Sequence, residues 1–320
     1  MKTTLLFLSV FLSVSLFGQE LTYVPDDLFE QHLIGLGLDD VLDDYVLTSN
    51  IENITRLDFP YQTIGPFFSD LTGIEDFASL TYLRCGLNQI TNLDVSNNGN
   101  LDTLICHLNW LTELNLGENN SLKYLDCAYN GLQNINISQL PYLSFLNISF
   151  NQITNIDLTQ NNLLTEFWCV ENQLNSLDAS ANTELQLLYC QSNNIEYLDL
   201  SQNINLDSLY CNNNSLYCLN VANGNNFNLG LNAQNNPNLN CIEVDEVVWA
   251  WIQWPDFTDP QVSFSEDCNN DCTSSLTELS TSNNLIKILD MMGRETSFKP
   301  NTPLIYVYDD GTTEKVFTIE

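Results

Sequence analysis

From Leu80 onward the chain repeats itself every 21 residues. Successive copies open at Leu80, Leu101, Leu122, Leu143, Leu164, Leu185 and Leu206, and share the form LxxLxCxxNxLxxLxL. LTYLRCGLNQITNLDVSNNGN, for instance, is followed by LDTLICHLNWLTELNLGENNS. A unit of this length cannot bury its own apolar face, so the copies must stack, each covering the next. That requirement excludes most fold classes before composition is considered.

Within a copy, Leu83-Arg84-Cys85 and its counterparts have period two, which turns the first and third side chains inward and the middle one outward. Ile90, Leu111, Leu132, Ile153, Leu174, Ile195 and Leu216 lie two residues after a recurring Asn and close the turn inward. Leu93 with Val95, then Leu114 with Leu116, form a second alternating segment. Each copy therefore reads as one coil with two short strands. At about 4.8 Å per strand, seven coils give a stack of roughly 34 Å. The pattern resembles the leucine-rich repeat family, in a short bacterial class with Cys in the LxL slot. That resemblance implies a β-rich, right-handed solenoid with short parallel strands.

Two columns of the repeat are expected to be structural. Asn88, Asn109, Asn130, Asn151, Asn172, Asn193 and Asn214 fall where the chain leaves the strand. A side-chain amide there can serve the backbone groups of successive bends, forming a ladder. Cys85, Cys106, Cys127, Cys169, Cys190 and Cys211 share one inward slot, which Ile148 fills once, so a medium apolar group suffices. Parallel neighbours hold Cβ atoms near 4.8 Å, beyond the roughly 3.5–4.5 Å of a relaxed disulfide. These six are read as buried free thiols. Thiolates in one row cannot surround a zinc ion, so no metal site is read there. Cys218, Cys241, Cys268 and Cys272 are disulfide candidates instead. Cys241–Cys268 with Cys218–Cys272 is the preferred pairing and Cys218–Cys241 the alternative.

Both ends of a stack expose apolar surface. Val24-Pro25-Asp26-Asp27 ahead of LFEQHLIGLG reads as a helix start, with Leu28, Phe29, His32, Leu33 and Leu36 on its buried side. Ile54 to Leu80 reads as a divergent coil and Leu229 to Val244 as a degraded one. EVVWAWIQW, with Trp249, Trp251 and Trp254, reads as a lid that is either amphipathic or extended. The expected organisation is a signal peptide over 1–18, a helical cap over 19–53, a solenoid over 54–245 and a disulfide-bearing cap over 246–272. A linker over 273–284 and a small β domain over 285–320 complete it.

Both termini carry candidate addresses. Met1 to Thr4 is cationic and Leu5 to Phe17 apolar for 13 residues, the pattern of an export signal and too short to span a bilayer. No later stretch is apolar enough to be a transmembrane segment. At the other end, Lys287, Ile288, Asp290, Gly293-Arg294, Asn301, Leu304-Ile305-Tyr306, Tyr308, Asp310-Gly311 and Lys315 resemble the C-terminal sorting domain of type IX secretion cargo in Bacteroidetes. The resemblance implies the type IX secretion machinery as a partner and an extracellular or outer-surface location.

Composition narrows the function. With 8 Lys+Arg against 41 Asp+Glu, the formal charge of −33 repels nucleic acid and anionic lipid. Phosphate loops, GxSxG elbows and HExxH motifs are absent from the sequence, and its two histidines give little material for catalysis. The chain is read as a non-enzyme with no resident cofactor. Loop Ca²⁺ held by acids such as Asp39, Asp40, Asp43, Asp44, Asp256, Asp259, Glu266, Asp267 and Asp271 is a minor alternative, since EF-hand spacing is missing. Function then rests on the outward positions of the first strand. Tyr82, Arg84, Tyr124, Asp126, Phe145, Trp168, Tyr189 and Tyr210 are the candidate ligand contacts. Protein recognition or adhesion is the preferred reading. A glycan-binding module and a structural surface layer are the alternatives, and stacked aromatics that merely stabilise the sheet would explain the row without any ligand.

Overall fold

The computed structural model describes residues 20–59 and 67–268, three strands between 285 and 316, and residues 294 and 296. The chain divides into two compact units, Met1–Cys272 and Thr273–Glu320. The expected export signal lies outside the described residues.

In the first unit the first strands of successive coils build one nine-stranded parallel sheet. Its strands are Arg56–Asp58, Tyr82–Arg84, Thr103–Ile105, Tyr124–Asp126, Phe145–Asn147, Glu166–Trp168, Leu187–Tyr189, Ser208–Tyr210 and Gly230–Asn232. Register never slips, so Tyr82, Thr103, Tyr124 and Phe145 stand directly beside one another, as do Arg84, Ile105, Asp126 and Asn147. The constant period is the cause: each coil returns the chain to the same height on its neighbour. The divergent coil around Leu57 and the degraded one around Leu231 extend the seven regular copies at either end.

The inward columns form a continuous core. Leu83, Leu104, Leu125, Leu146, Phe167, Leu188 and Leu209 are fully buried, and so are the six Cys residues of the next inward slot. All six are free thiols. Burial pushes the Cys85 and Cys190 thiols up to about 12 and raises the other four as well. These thiols stay protonated and inert at neutral pH.

Two Asn columns hold the coils together. In the first, Asn172 Nδ2 donates to Ile148 O (3.0 Å) in the preceding coil and to Cys169 O (3.2 Å) in its own. Its Oδ1 accepts from Ile153 N at 3.0 Å. Asn109, Asn130, Asn151 and Asn193 repeat this arrangement. The second column, Asn98, Asn119, Asn161, Asn182 and Asn203, is fully buried and was not singled out from the sequence. Asn161 Nδ2, for example, reaches Ile137 O (3.1 Å) and Leu140 O (2.8 Å). The same 21-residue count would have found it; Leu140 interrupts the column in the third copy.

The second strand of each coil is not universal. Asn92–Asp94 pairs with Glu113–Asn115, and a separate sheet joins Tyr197–Asp199, Cys218–Asn220, Cys241–Glu243 and Ser263–Ser265. The third, fourth and fifth copies form no strand there. They open this segment with Asn134, Asn155 and Ser176; Asn92 opens a strand at the same position, so residue type alone does not decide the pairing.

At the N-terminal end the helix Asp27–Gly35 starts at Asp26, whose carboxylate accepts from Leu28 N and Phe29 N. Phe29 packs on Phe59 and Phe77, and His32 on Phe59 at 4.6 Å. Leu36, expected on the buried side, is instead 52% exposed. The buried polar residue is Glu30, whose Oε1 accepts from Asp43 N and Tyr45 N. The returning chain needs partners for those backbone groups, and the helix supplies them.

At the C-terminal end EVVWAWIQW is helical over Val247–Gln253. Trp254 is buried, Trp249 half-buried and Trp251 exposed. Cys241 and Cys268 are bonded, which overturns the Cys218–Cys241 alternative. Cys218 is also disulfide-bonded. Its expected partner, Cys272, lies outside the described residues. In the second unit, Leu285–Asp290, Leu304–Tyr308 and Thr313–Val316 form an antiparallel sheet with Leu304–Tyr308 in the middle.

Candidate functional site

The outward face of the nine-stranded sheet is built by three columns of side chains from residues two apart on each strand. At its N-terminal end Asp58 holds both Arg56 (2.8 Å) and Arg84. The Arg56 guanidinium also lies 3.6 Å from the centre of the Tyr82 ring, a cation–π contact. Two coils on, His107 Nδ1 meets Asp126 Oδ2 at 2.9 Å.

Beyond these pairs the face is aromatic. Tyr124 and Phe145 stack in parallel at 4.1 Å, and Phe145 meets Trp168 edge-on at 5.5 Å. Trp168 leans on Tyr189 at 5.4 Å, and Tyr189 on Tyr210 at 5.0 Å. The five rings run unbroken over five consecutive coils. Contact with each other leaves Tyr124, Phe145, Trp168 and Tyr189 half-buried, while Tyr210 is 41% exposed. Asn147, expected to face solvent in the middle column, is buried, with Oδ1 accepting from Ser149 N. Trp168 Nε1, Gln191 Oε1 and Asn212 Oδ1 on this face find no hydrogen-bond partner among the described residues.

Charge is sparse here. On the nine strands themselves the outward charged residues are Arg56, Asp58, Arg84, Asp126 and Glu166. Two cations against three carboxylates leave the face close to neutral on a chain of −33. The acids are placed elsewhere on the coils.

A second apolar row borders the face, and the sequence reading missed it. Leu87, Leu108, Tyr129 and Phe150 occupy the position just before the first Asn column, each with φ between 54° and 61°. A left-handed backbone at a bulky residue costs about 1–2 kcal/mol, so Gly or Asn would be cheaper. Glu171, Ser192, Asn213 and Asn235 fill the later copies. Tyr129 and Phe150 stack at 4.0 Å, and Trp110, two residues after Leu108, is 61% exposed. The signal was available in the repeat alignment: large apolar residues at a column that turns polar halfway along.

Among the described residues no group of three or more His, Cys, Asp or Glu side chains is placed to hold a metal ion. Asp259, one of the candidate Ca²⁺ acids, spends both oxygens on Asn235 N (2.9 Å) and Asn236 N (2.7 Å). No described helix is long and apolar enough to cross a membrane.

Solved structures with this geometry include the functional domain of InlJ from Listeria monocytogenes, described as including a cysteine ladder. It is 29% identical with a TM-score of 0.51, over 71% of this chain and 58% of that one. The solenoid has the leucine-rich repeat fold. Internalin C2 from Listeria monocytogenes str. 4b F2365 also superposes, at 22% identity and a TM-score of 0.51, over 69% of this chain and 94% of that one. The chain thus spans little more than half the length of the InlJ domain. No protein-family model matches it, and neither does any curated protein sequence. This solenoid carries its own column of six buried free cysteines.

Proposed function

We propose that this chain is a non-catalytic recognition module, exported to the cell exterior, that binds a protein partner on the outward face of its nine-stranded sheet. The observation that carries this is the unbroken ring row from Tyr124 to Tyr210 on a nearly neutral face of a strongly acidic molecule. Aromatic residues at low charge density are the composition that marks the centre of protein interfaces. Tyr82, Arg84 and Asp126 would supply the polar rim. The Cys241–Cys268 disulfide supports an oxidising location. Residues 1–18 would direct export. The helix Asp27–Gly35 and the segment 246–272 would cap the stack, and residues 285–320 would serve as the type IX sorting domain.

Photo-crosslinking residues placed at Tyr189 and, as a control, at Asn155 on the opposite side test the face. The expected result is a discrete adduct from position 189 and none from 155; equal labelling at both would sink the reading. Truncation after Cys272 tests the address separately. The truncated protein should unfold with a stability within about 1 kcal/mol of the full chain and should no longer reach the cell surface. Surface display of the truncated form would remove the sorting assignment and leave the binding face untouched.

A further inference from the structure

Beyond protein recognition, we propose that the C-terminal end of the sheet holds a site for a neutral sugar ring, adjoining the ring row at Tyr210. After Phe145 and Glu166 the first outward column shrinks toward that end, through Leu187 and Ser208 to Gly230. Nothing in the backbone demands glycine at 230. Its φ is not positive, and an added Cβ would meet only Asp207 O, at an ordinary 3.6 Å. Glycine in a strand weakens it, so the missing side chain needs another use. What it opens is a cleft of about 510 Å³ between the strand Gly230–Asn232 and the helix Val247–Gln253.

Tyr210, Phe227, Trp249 and Phe257 wall this cleft. Phe227 is 62% exposed yet fixed edge-on against Trp249 at 5.5 Å, and Trp249 in turn against Trp254 at 5.2 Å. The rings are therefore presented by aromatic packing that does not depend on a ligand. Asn228, Asn232 and Gln253 add amides to the lining. Among the described residues no charged side chain lines the cleft, on a molecule carrying −33. Charge matching excludes an anion, which meets repulsion from the whole protein. A cation has aromatic faces to sit on but leaves the amide N–H donors of the lining without acceptors, so a neutral ligand fits best.

A pyranose ring meets both remaining requirements. Its C–H face carries partial positive charge and sits on the negative face of an aromatic ring. Its hydroxyls both donate and accept, as the amides at the lining require. Asn228 Nδ2 already donates to Asn225 Oδ1, and Asn232 Oδ1 accepts from Gln234 N. An aliphatic ligand would leave the remaining amide groups unpaired, at a cost of about 1–3 kcal/mol for each desolvated group. The volume suits one or two rings of a neutral glycan.

The test is saturation-transfer NMR on the full chain with the methyl glycosides of glucose, galactose, mannose and N-acetylglucosamine, alongside methyl glucuronide and adenosine. At least one neutral glycoside should receive saturation at its ring protons, and the glucuronide should bind at least about tenfold more weakly. Gly230→Phe, which restores the ring that Phe145 carries in the same column, should weaken binding at least about tenfold with an unchanged melting temperature. Phe227→Ala, at an exposed position, should do the same without touching the sheet, and decides the matter if the first variant misfolds. Silence from every neutral glycoside at about 10 mM would overturn the site. Equal binding of the glucuronide, preference for adenosine, or binding unaffected by the folded variants would overturn it as well. Adducts from Tyr189 report on the protein-binding face independently of all these outcomes.

Discussion

The middle of the solenoid and its C-terminal end solve the same problem in opposite ways. Between Leu80 and Asn226 the coils use one kit: a buried Leu, a buried thiol or Ile148 and, from the second copy on, an Asn amide bridging to the coil before. The side-chain amide of Asn88, in the first copy, bonds only within its own coil. Past Leu229 the kit is replaced piece by piece. Ala233 stands where Cys211 stood one coil earlier, and its N–H donates to Phe257 O rather than to another strand. Asp259 receives the N–H groups of Asn235 and Asn236 in the last bend, where one coil earlier Asn213 N donates to a backbone carbonyl, Gln234 O. Trp254 covers the last coil, and a disulfide ties the Ser263–Ser265 strand region back to Cys241. Repetition stabilises an interior because each coil presents what the next requires. An end has no next coil, so it needs side chains that finish the pattern. Irregularity is also what makes room for an uncharged, aromatic-walled cleft; the cleft beside the middle coils is lined by Asp94, Glu113 and amides instead.

Alkali should separate the two regions most strongly. Six thiols of the middle have folded pKa values raised by burial, so the unfolded chain releases protons that the folded chain retains. Their contribution is complete below the ordinary thiol value near 9 and is lost as pH rises from there toward about 12, the value for Cys85 and Cys190. At about 1.4 kcal/mol per pH unit for each thiol, the six approach a loss of about 8 kcal/mol per unit. Denaturant titrations under reducing conditions, from about pH 8 to about pH 11, should show this slope. The double variant Cys85→Ile, Cys190→Ile uses the residue that Ile148 already supplies in the same slot, and should lose about a third of the slope. A slope unchanged in that variant would assign the alkaline loss to other groups.

Next in size is the staple at the end. Cys241→Ser with Cys268→Ser opens a loop whose ends are 27 residues apart. Loop entropy puts the loss at about 3.5 kcal/mol. Fluorescence of Trp249, Trp251 and Trp254 should then report the end melting before the far-UV signal of the stack. Coincident transitions would show that end and middle are one cooperative unit.

A single rung of the middle should matter nearly as much. Asn172→Ala leaves the buried Ile153 N without its acceptor, and takes one of two amide donors from Ile148 O and from Cys169 O, which keep Asn151 Nδ2 and Asn193 Nδ2. The expected destabilisation is about 3 kcal/mol by chemical denaturation. A loss under about 1 kcal/mol would mean that water replaces the amide. The smallest effect belongs to the carboxylate that finishes the last bend. Asp259→Ala should cost about 1–2 kcal/mol, because its loop is partly solvated and the freed N–H groups of Asn235 and Asn236 can reach water. Asp259→Asn should recover part of that loss, since one carbonyl oxygen remains to accept.

Spacing alone dictates the stack. A strict 21-residue period with inward Leu, Cys and Asn columns leaves a chain only one way to bury its apolar positions, so the coil, its parallel sheet and the first amide ladder were readable in advance. The buried Asn98 column and the row through Tyr129 and Phe150 were equally periodic, and were missed only because they interrupt or change character along the copies. Other features had no period to read. The burial of Glu30 and the exposure of Leu36 follow from where residues 43–45 return across the helix. Loss of the second strand in three coils depends on backbone pairing between copies. The ring contacts from Tyr124 to Tyr210 follow from unbroken register, yet each ring's tilt and exposure is set by the ring beside it. The cleft at Gly230 joins residues from two strands, a loop and a helix, because the chain must cross its own end to finish the stack. Periodicity specifies neighbours one repeat away; contacts that close an end unite segments with no common spacing, and only the folded chain brings them together.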